Sequence, residues 1–222
     1  MPLSVIFDMD GLMFDTERIY ADMERRIAKE WNLDGIEEII SQSYGVSTIL
    51  MRQIYLKKYG ADFDYDGFLA LTVKYVYEYY DHNEIPLKPG LFEILNFLDS
   101  CGCKKAVATS TFYKNAEPLL KAAGVFDRFD KIITGDMVEK SKPSPDIFLK
   151  AAKELGAEPC DCIVLEDSFN GIKGAHAAGM IPIMIPDIKK PTDEIIPFTY
   201  AIRDSLADAI EIIEELFDNR VL

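Results

Sequence analysis

Asp8 and Asp10 stand one residue apart at the end of the apolar run Val5-Ile6-Phe7, immediately before Gly11. The run reads as a buried strand, and side chains two apart on a strand project to the same face. Both carboxylates are therefore expected at one site, at the strand's C-terminal end, where open α/β sheets bind ligands. Two crowded negative charges are costly unless a cation, a proton or a reaction makes use of them. A divalent metal is the natural compensation. Phosphoryl transfer is the chemistry that follows most directly, with one Asp as nucleophile and the other as acid/base. Gly11 lets the backbone turn close to a phosphate without a side-chain clash.

Other apolar runs also end in polar residues. Ala106-Val107-Ala108 leads into Thr109, Ser110 and Thr111, and Ile163-Val164-Leu165 leads into Glu166, Asp167 and Ser168. Ser141-Lys142-Pro143 follows the run Lys131-Ile132-Ile133. Parallel strands bring their C-terminal ends to one edge of a sheet, so these groups are expected to converge on Asp8 and Asp10. The formal net charge of −14 sharpens the demand for local positive charge. Such a field repels nucleic-acid polymers and anionic membranes, and it repels phosphate too, unless a metal, Lys142 or backbone N–H groups oppose it locally.

The elements needed to position these residues are legible as patterns. Ile19, Tyr20, Met23, Ile27 and Trp31 recur at helical spacing, and Ile49, Met51, Ile54 and Tyr55 suggest a second helix closing at Gly60. Residues 69–80 fit either period: Leu69, Val73, Val76, Tyr77 and Tyr80 suit a helix, and Val73, Tyr75, Tyr77 and Tyr79 an alternating strand. Length and helical neighbours favour helix. Beyond Pro86, Pro89 and Gly90, helical and strand patterns alternate. A helix around Leu91–Leu98 precedes the 106–108 strand, and another near Leu119 stops at Gly124. Pro145 opens a third, a helix runs to Gly179 before a fifth strand over 181–185, and an amphipathic helix spans about 205–217. This predicts a doubly wound, mainly parallel, Rossmann-like α/β core from residues 1–14 and 86–222, with a helical cap inserted over 15–85.

With these elements the chain resembles the haloacid dehalogenase-like hydrolase superfamily, in its phosphatase and β-phosphoglucomutase-like branch with a helical cap. DMDGLMFDTE (8–17) resembles the first motif, VATS (107–110) the second, SKPSPDIF (141–148) the third and LEDSFNGIKGAHAAGM (165–180) the fourth. The resemblance implies Asp8 as the nucleophile that becomes an aspartyl phosphate and Asp10 as the group that protonates the leaving oxygen and then deprotonates water. It implies Thr109 and Lys142 as catalytic partners, and Gly11, Thr16, Ser110 and Lys142 in phosphate and substrate binding. Mg²⁺ would sit on Asp8, the backbone carbonyl of Asp10 and Asp167, with Glu166 nearby or bridged by water. Asp10 speaks against carbon–halogen cleavage, which needs no acid for a departing alkoxide. Mutases of the β-phosphoglucomutase type are described with a cap His and an Arg near the segment around Gly45, where this chain has Tyr20 and Thr48. A phosphatase acting on a small phosphorylated metabolite is therefore expected ahead of a mutase, with a non-catalytic phosphate-binding protein third.

The remaining signals are blander. The 222 residues suffice for one core plus an insertion, near-half hydrophobic content is ordinary, and no apolar run is long enough to span a membrane. A monomer in the cytoplasm, without a leader segment, is the simplest expectation. Cys101/Cys103 and Cys160/Cys162 could form a zinc site if the pairs meet, but reduced core cysteines are the commoner outcome. Glu17 suits a site entrance or the helix dipole equally, and Asn115 suits phosphate contact or a helix start. Arg52 reads as a solvated charge, Tyr20 and the tyrosines at 75, 77, 79 and 80 as packing, and His82 and His176 as uninvolved.

Overall fold

The computed structural model describes residues 3–43, 48–80 and 82–221. In chain order the elements are β1 (Ser4–Phe7), α1 (Thr16–Glu30), α2 (Ile36–Ser43), α3 (Thr48–Tyr59), α4 (Tyr65–Tyr80) and α5 (Leu91–Ser100). Then come β2 (Lys104–Ala108), α6 (Tyr113–Ala122), β3 (Lys131–Ile133), α7 (Asp146–Leu155), β4 (Cys162–Glu166), α8 (Phe169–Ala177), β5 (Ile181–Met184), β6 (Ala201–Ile202) and α9 (Ala209–Val221). They form two compact units, Met1–Phe14 with Pro86–Leu222, and Asp15–Ile85.

The first unit is a doubly wound α/β fold around a six-stranded sheet of order β3-β2-β1-β4-β5-β6, every pairing parallel. β1 lies in the middle, with Ile6 beside Ala106 on one side and Val164 on the other. Its four residues are all buried, which is why the strand reads as an unbroken apolar run rather than an alternating one. One face of the sheet packs Ile6, Ala106, Ala108 and Val164 against Phe148, Ala151 and Ala175 of α7 and α8. Strand order reverses between β1 and β4, so the crevice where such sheets take ligands opens at the ends of those two strands.

The chain departs and returns through a tight turn. Gly11 N–H donates to the Phe14 carbonyl at 2.9 Å, Met13 N–H to that of Met9 at 2.9 Å, and Lys88 N–H to that of Met13 at 2.9 Å. Phe14 and Leu87 form an antiparallel bridge, so the two connections to the insertion pair with each other. Lys88 also donates through Nζ to Asp187 at 2.5 Å, beyond the end of β5.

The second unit is entirely helical in its described residues. Residues 65–80 form a helix, resolving the two-period ambiguity. Tyr65, Phe68, Thr72 and Val76 are its buried positions, a helical stripe that only a helical neighbour can cover. Gly35 is followed by α2, which no strong pattern announced. Elsewhere, Pro145 is the N-cap of α7 rather than its first turn. The 205–208 segment is a turn closed by Ser205 and Asp208, so the last helix starts later than its periodicity suggested. The fifth strand stops at Met184, and the two-residue β6 is too short to leave a pattern.

The core of this second unit is aromatic: Tyr55 is fully buried, with its ring 5.3 Å from Tyr65 and 5.0 Å from Phe68. Glu24 of α1 is buried against it. The hydroxyls of Tyr55, Tyr59 and Tyr65 are buried without a completed hydrogen bond. Tyr55 faces the Glu24 carboxyl closely enough to influence it, short of ideal alignment. Burial pushes Glu24 up to about 7, with Tyr55 and Arg25 pulling the other way. A carboxyl whose folded value exceeds its unfolded one stabilises the fold when protonated. That contribution is complete below the ordinary carboxyl range and is lost as pH rises through about 7. Glu24→Gln is therefore expected to be near neutral at pH 5 and stabilising by about 3 kcal/mol at pH 8 relative to wild type. Urea unfolding at both pH values tests this, and a difference that does not change with pH contradicts it.

Candidate active site

The ends of β1, β2 and β4 and the loop after β3 supply every residue of the site. β1 ends at Phe7, and its hydrogen-bonded path continues one step further as Asp8 N–H donates to the Leu165 carbonyl at 3.0 Å. Asp8 is thereby held against β4. β4 ends with Glu166, Asp167 follows it, and both are buried. Lys142, buried in the loop between β3 and α7, reaches across and donates through Nζ to Asp8 Oδ1 and, at 2.7 Å, to Glu166 Oε1. The other Glu166 oxygen accepts from the Ser168 N–H at 2.7 Å, so both of its oxygens are engaged.

Electrostatics separates these groups. Burial pushes the Asp8 carboxyl up to about 8, against the pull of Lys142 and with the help of Glu166 and Asp10. Burial alone would lower Lys142, but the carboxylates of Asp8 and Glu166 outweigh it and hold the ammonium protonated. Lys142 is thus a fixed cation and not a proton donor.

Asp10 behaves differently. Because β1 has already ended, strand alternation does not govern it, and its side chain turns towards β2 while that of Asp8 turns towards β4. Asp10 Oδ2 accepts from Thr111 Oγ1 at 2.7 Å and from Thr109 Oγ1 at a longer 3.4 Å. The two aspartates have separate partners, yet they remain close enough for the Asp10 charge to raise Asp8.

Asp8, Glu166 and Asp167 each offer an oxygen, all within 4.8 Å of one another. An all-oxygen carboxylate set of this kind suits a hard cation such as Mg²⁺. With Glu166 already engaged on both oxygens, Asp8 and Asp167 are the better-placed direct ligands. The Asp10 side chain lies outside this set. Gly11 has φ +84, and a Cβ there would lie 2.5 Å from Asp167 Oδ2, so glycine is required by both backbone and space.

The other sequence candidates fall in varied places. Ser110 is exposed between its two threonine neighbours. Thr16 and Glu17 open α1 in the helical unit, where Glu17 is a first-turn acid. Asn115 lies inside the first turn of α6, whose N-cap is Phe112, so it is not the start signal. Arg52 pairs with Asp66 and lies over the Tyr65 ring instead of standing solvated alone. Tyr75 lies under Arg26 and donates to Glu30. His82 is exposed, and His176 packs edge-on against Phe198. The segment around Gly45, residues 44–47, lies outside the described residues, as does the side chain of Thr48.

Cys103 directly precedes β2 and Cys162 opens β4, with β1 running between those strands, and among the described residues the cysteines form no metal-binding group. All four are free thiols, and burial pushes Cys103 and Cys162 up to about 12, which keeps them protonated. Among the described residues the carboxylate trio is the one group close enough to hold a metal.

Thr111 arrives at the site with the hydroxyl cluster after β2, as expected, but nothing in the sequence assigns it a role of its own, and its hydroxyl makes the shorter of the two threonine contacts to Asp10.

A model of the haloacid dehalogenase-like hydrolases matches residues 4–179 of the chain. A phosphorylated carbohydrates phosphatase of Thermotoga maritima is 32% identical over 185 residues, covering 80% of this chain and 82% of that protein. The protein CbbY of Cereibacter sphaeroides is 32% identical over 197 residues, covering 82% and 84%. Among solved structures, CbbY from Rhodobacter sphaeroides in complex with phosphate superposes with a TM-score of 0.77 at 27% identity, covering 94% of this chain and 96% of that one. A mutant of that CbbY in complex with xylulose-(1,5)-bisphosphate gives the same TM-score at 26% identity over the same coverage.

Removing Lys142 strands two buried carboxylates. Lys142→Met is expected to destabilise the protein by about 3 kcal/mol in urea at neutral pH without divalent cation, and Lys142→Met with Glu166→Gln to recover part of it. A Lys142→Met protein as stable as wild type contradicts the reading of Lys142 as the charge that holds this edge together.

Proposed function

The chain belongs to the haloacid dehalogenase-like hydrolases, and we propose that it is a Mg²⁺-dependent phosphatase that hydrolyses a small phosphorylated metabolite through an aspartyl phosphate on Asp8. The observation that carries the reading is the separation of the two aspartates, one tied to a fixed ammonium and the other to hydroxyls.

In this reading Asp8 attacks phosphorus, forming an O–P bond as the bond to the substrate oxygen breaks. The leaving oxygen takes the proton carried by Asp10. Asp10, now ionised, takes a proton from water as that water attacks the aspartyl phosphate, which releases inorganic phosphate and restores Asp8. Lys142 fixes the nucleophile from its other oxygen, and Thr109 offers a hydroxyl at the rim where phosphoryl oxygens would lie. Glu166 holds Lys142, and Gly11 keeps the turn open beside Asp167. Asp8, Asp167 and the Asp10 carbonyl would hold Mg²⁺. When bound, that ion supplies the positive charge that lets an anionic nucleophile approach an anionic phosphate.

The substrate class follows from the relatives. One is named for phosphorylated carbohydrates, and another has been solved with a sugar bisphosphate. A small sugar phosphate or similar monoester, such as a nucleoside monophosphate, is the proposed substrate. The mutase alternative lacks support at Tyr20 and Thr48, where the family's His and Arg are described.

A panel of phosphorylated metabolites with Mg²⁺ is expected to release free phosphate from at least one sugar phosphate. Isomerised sugar phosphate in place of free phosphate identifies a mutase instead. Asp8→Asn is expected to lower turnover by at least about 10³-fold while the protein stays folded. Acid quenching with labelled substrate should trap a phosphorylated wild-type protein and none in that variant. Substantial turnover by Asp8→Asn would refute the nucleophile assignment. Chelation of divalent cations should abolish turnover, and Mg²⁺ should restore it.

A further inference from the structure

An acid/base carboxylate that works twice per turnover must stay aimed in both of its protonation states. The backbone around Asp10 is held by the 9–14 turn, which leaves its side chain to be fixed by what it touches. Two hydroxyls converge on the same oxygen, and they are not equivalent. The Thr109 hydroxyl already accepts from the Thr111 N–H at 3.0 Å, and it lies 3.4 Å from Asp10 Oδ2. The Thr111 hydroxyl lies at 2.7 Å.

We infer that Thr111 is the positioning residue that aims Asp10 in both halves of the reaction. The inference rests on the acid/base reading of Asp10 and extends it to a residue outside the four motifs. A hydroxyl suits the task because it is a neutral donor that holds Oδ2 whether or not the carboxyl is protonated. With the proton on Oδ1, free to face the leaving oxygen, Thr111 still donates to Oδ2, so the aim is kept in both states. A lysine there would resist protonation of Asp10, as Lys142 would if it faced that side.

The loop that carries Thr111 is itself buttressed. Its carbonyl accepts from the Gly135 N–H at 3.2 Å, and a Cβ at Gly135 would lie 2.2 Å from the Ser110 carbonyl oxygen. Asp136 accepts from the Tyr113 N–H at 3.0 Å and from Thr134 Oγ1 at 2.7 Å, which pins the same loop from its far end. The hydroxyl therefore stands on a frame set by β3 and is not a loose surface group.

The test compares Thr111→Val, which keeps shape and removes the hydroxyl, with Thr111→Ser, which keeps the hydroxyl. Both are assayed with Mg²⁺ on p-nitrophenyl phosphate, whose leaving group needs little protonation, and on glycerol phosphate, whose alkoxide needs it. In the step that releases the alcohol, followed as a pre-steady-state burst, Thr111→Val is expected to lose about 10- to 100-fold on the alkyl ester and to stay within about 3-fold on the aryl ester, while hydrolysis of the shared phosphoenzyme, where Asp10 is the base, slows alike for both. Thr111→Ser should stay within about 3-fold of wild type in both steps. Equal loss of the alcohol-releasing step on the two esters, no loss in either step, or a Thr111→Ser protein as impaired as Thr111→Val overturns the proposal. Asp8→Asn, run in parallel, separates the layers: turnover that survives it defeats the covalent route and leaves the Asp10 tie to a second measurement. That measurement is a crystal structure of Thr111→Val. A carboxylate at position 10 that keeps its wild-type orientation without the hydroxyl overturns the proposal independently of any activity.

Discussion

The Lys142 ammonium is the charge around which the sheet edge is organised. Asp8, Asp10, Glu166 and Asp167 crowd one end of a protein that already carries an excess of acidic groups. Buried carboxylates need compensation, and three of these four have visible partners of more than one kind. Asp8 and Glu166 share Lys142, Glu166 adds the Ser168 N–H, and Asp10 relies on threonine hydroxyls. The difference in partners makes the two aspartates of one motif chemically unlike. A carboxylate fixed by a permanent cation is a well-aimed nucleophile. One held by hydroxyls can gain and lose a proton without losing its place.

Much of this was legible in the chain because the constraints are local and periodic. β1, β2 and β4 appear as short apolar runs since central parallel strands are buried on both faces, and the polar residues that follow them line the candidate site. Lys142 and Glu166 could be placed at the same edge from strand order alone, but their direct pairing could not, because it depends on how far a loop side chain reaches. Asp8 and Asp10 lie close to one another at the strand end, but the pleat is not what aims the second of them. Alternation holds within a strand, and β1 stops at Phe7, so a turn and not a pleat orients Asp10. Residues 69–80 carried two periods, and tertiary cover on Phe68, Thr72 and Val76 decided for helix. α2 and β6 were silent because each is short. The Glu24 carboxyl beneath three tyrosines left no sequence trace, since a glutamate on an amphipathic helix reads as solvent-facing unless the neighbouring core is known.

The insertion follows from the geometry of the 9–14 turn. The chain leaves the core within a few residues of Asp10 and returns beside the same turn, with Phe14 paired to Leu87 and Lys88 bonded to Met13. Lys88 further ties the returning strand to Asp187 beyond β5. The residues of the proposed chemistry all lie in the α/β unit, whereas Tyr20 and Thr48, which depart from the mutase pattern, lie in the helical unit. Chemistry and the features that distinguish branches of the family are thus written in separate compact bodies.

The charge balance of the edge also bears on how an anion could bind there. Four carboxylates against one ammonium leave a formal excess of negative charge, and Lys142 is already committed to two of them. Two of its three N–H donors are so engaged, which leaves one that could turn to a phosphoryl oxygen without unpairing Asp8 or Glu166. In the proposed enzyme the attraction for a phosphoryl group would come from that remaining donor, from backbone N–H groups and threonine hydroxyls, and from a cation that Asp8 and Asp167 would hold. A divalent ion bound there would favour the ionised, nucleophilic form of Asp8. In the proposed enzyme, metal affinity and nucleophile activation are then one effect. The acidic crowd at the sheet edge, costly by itself, is what couples them.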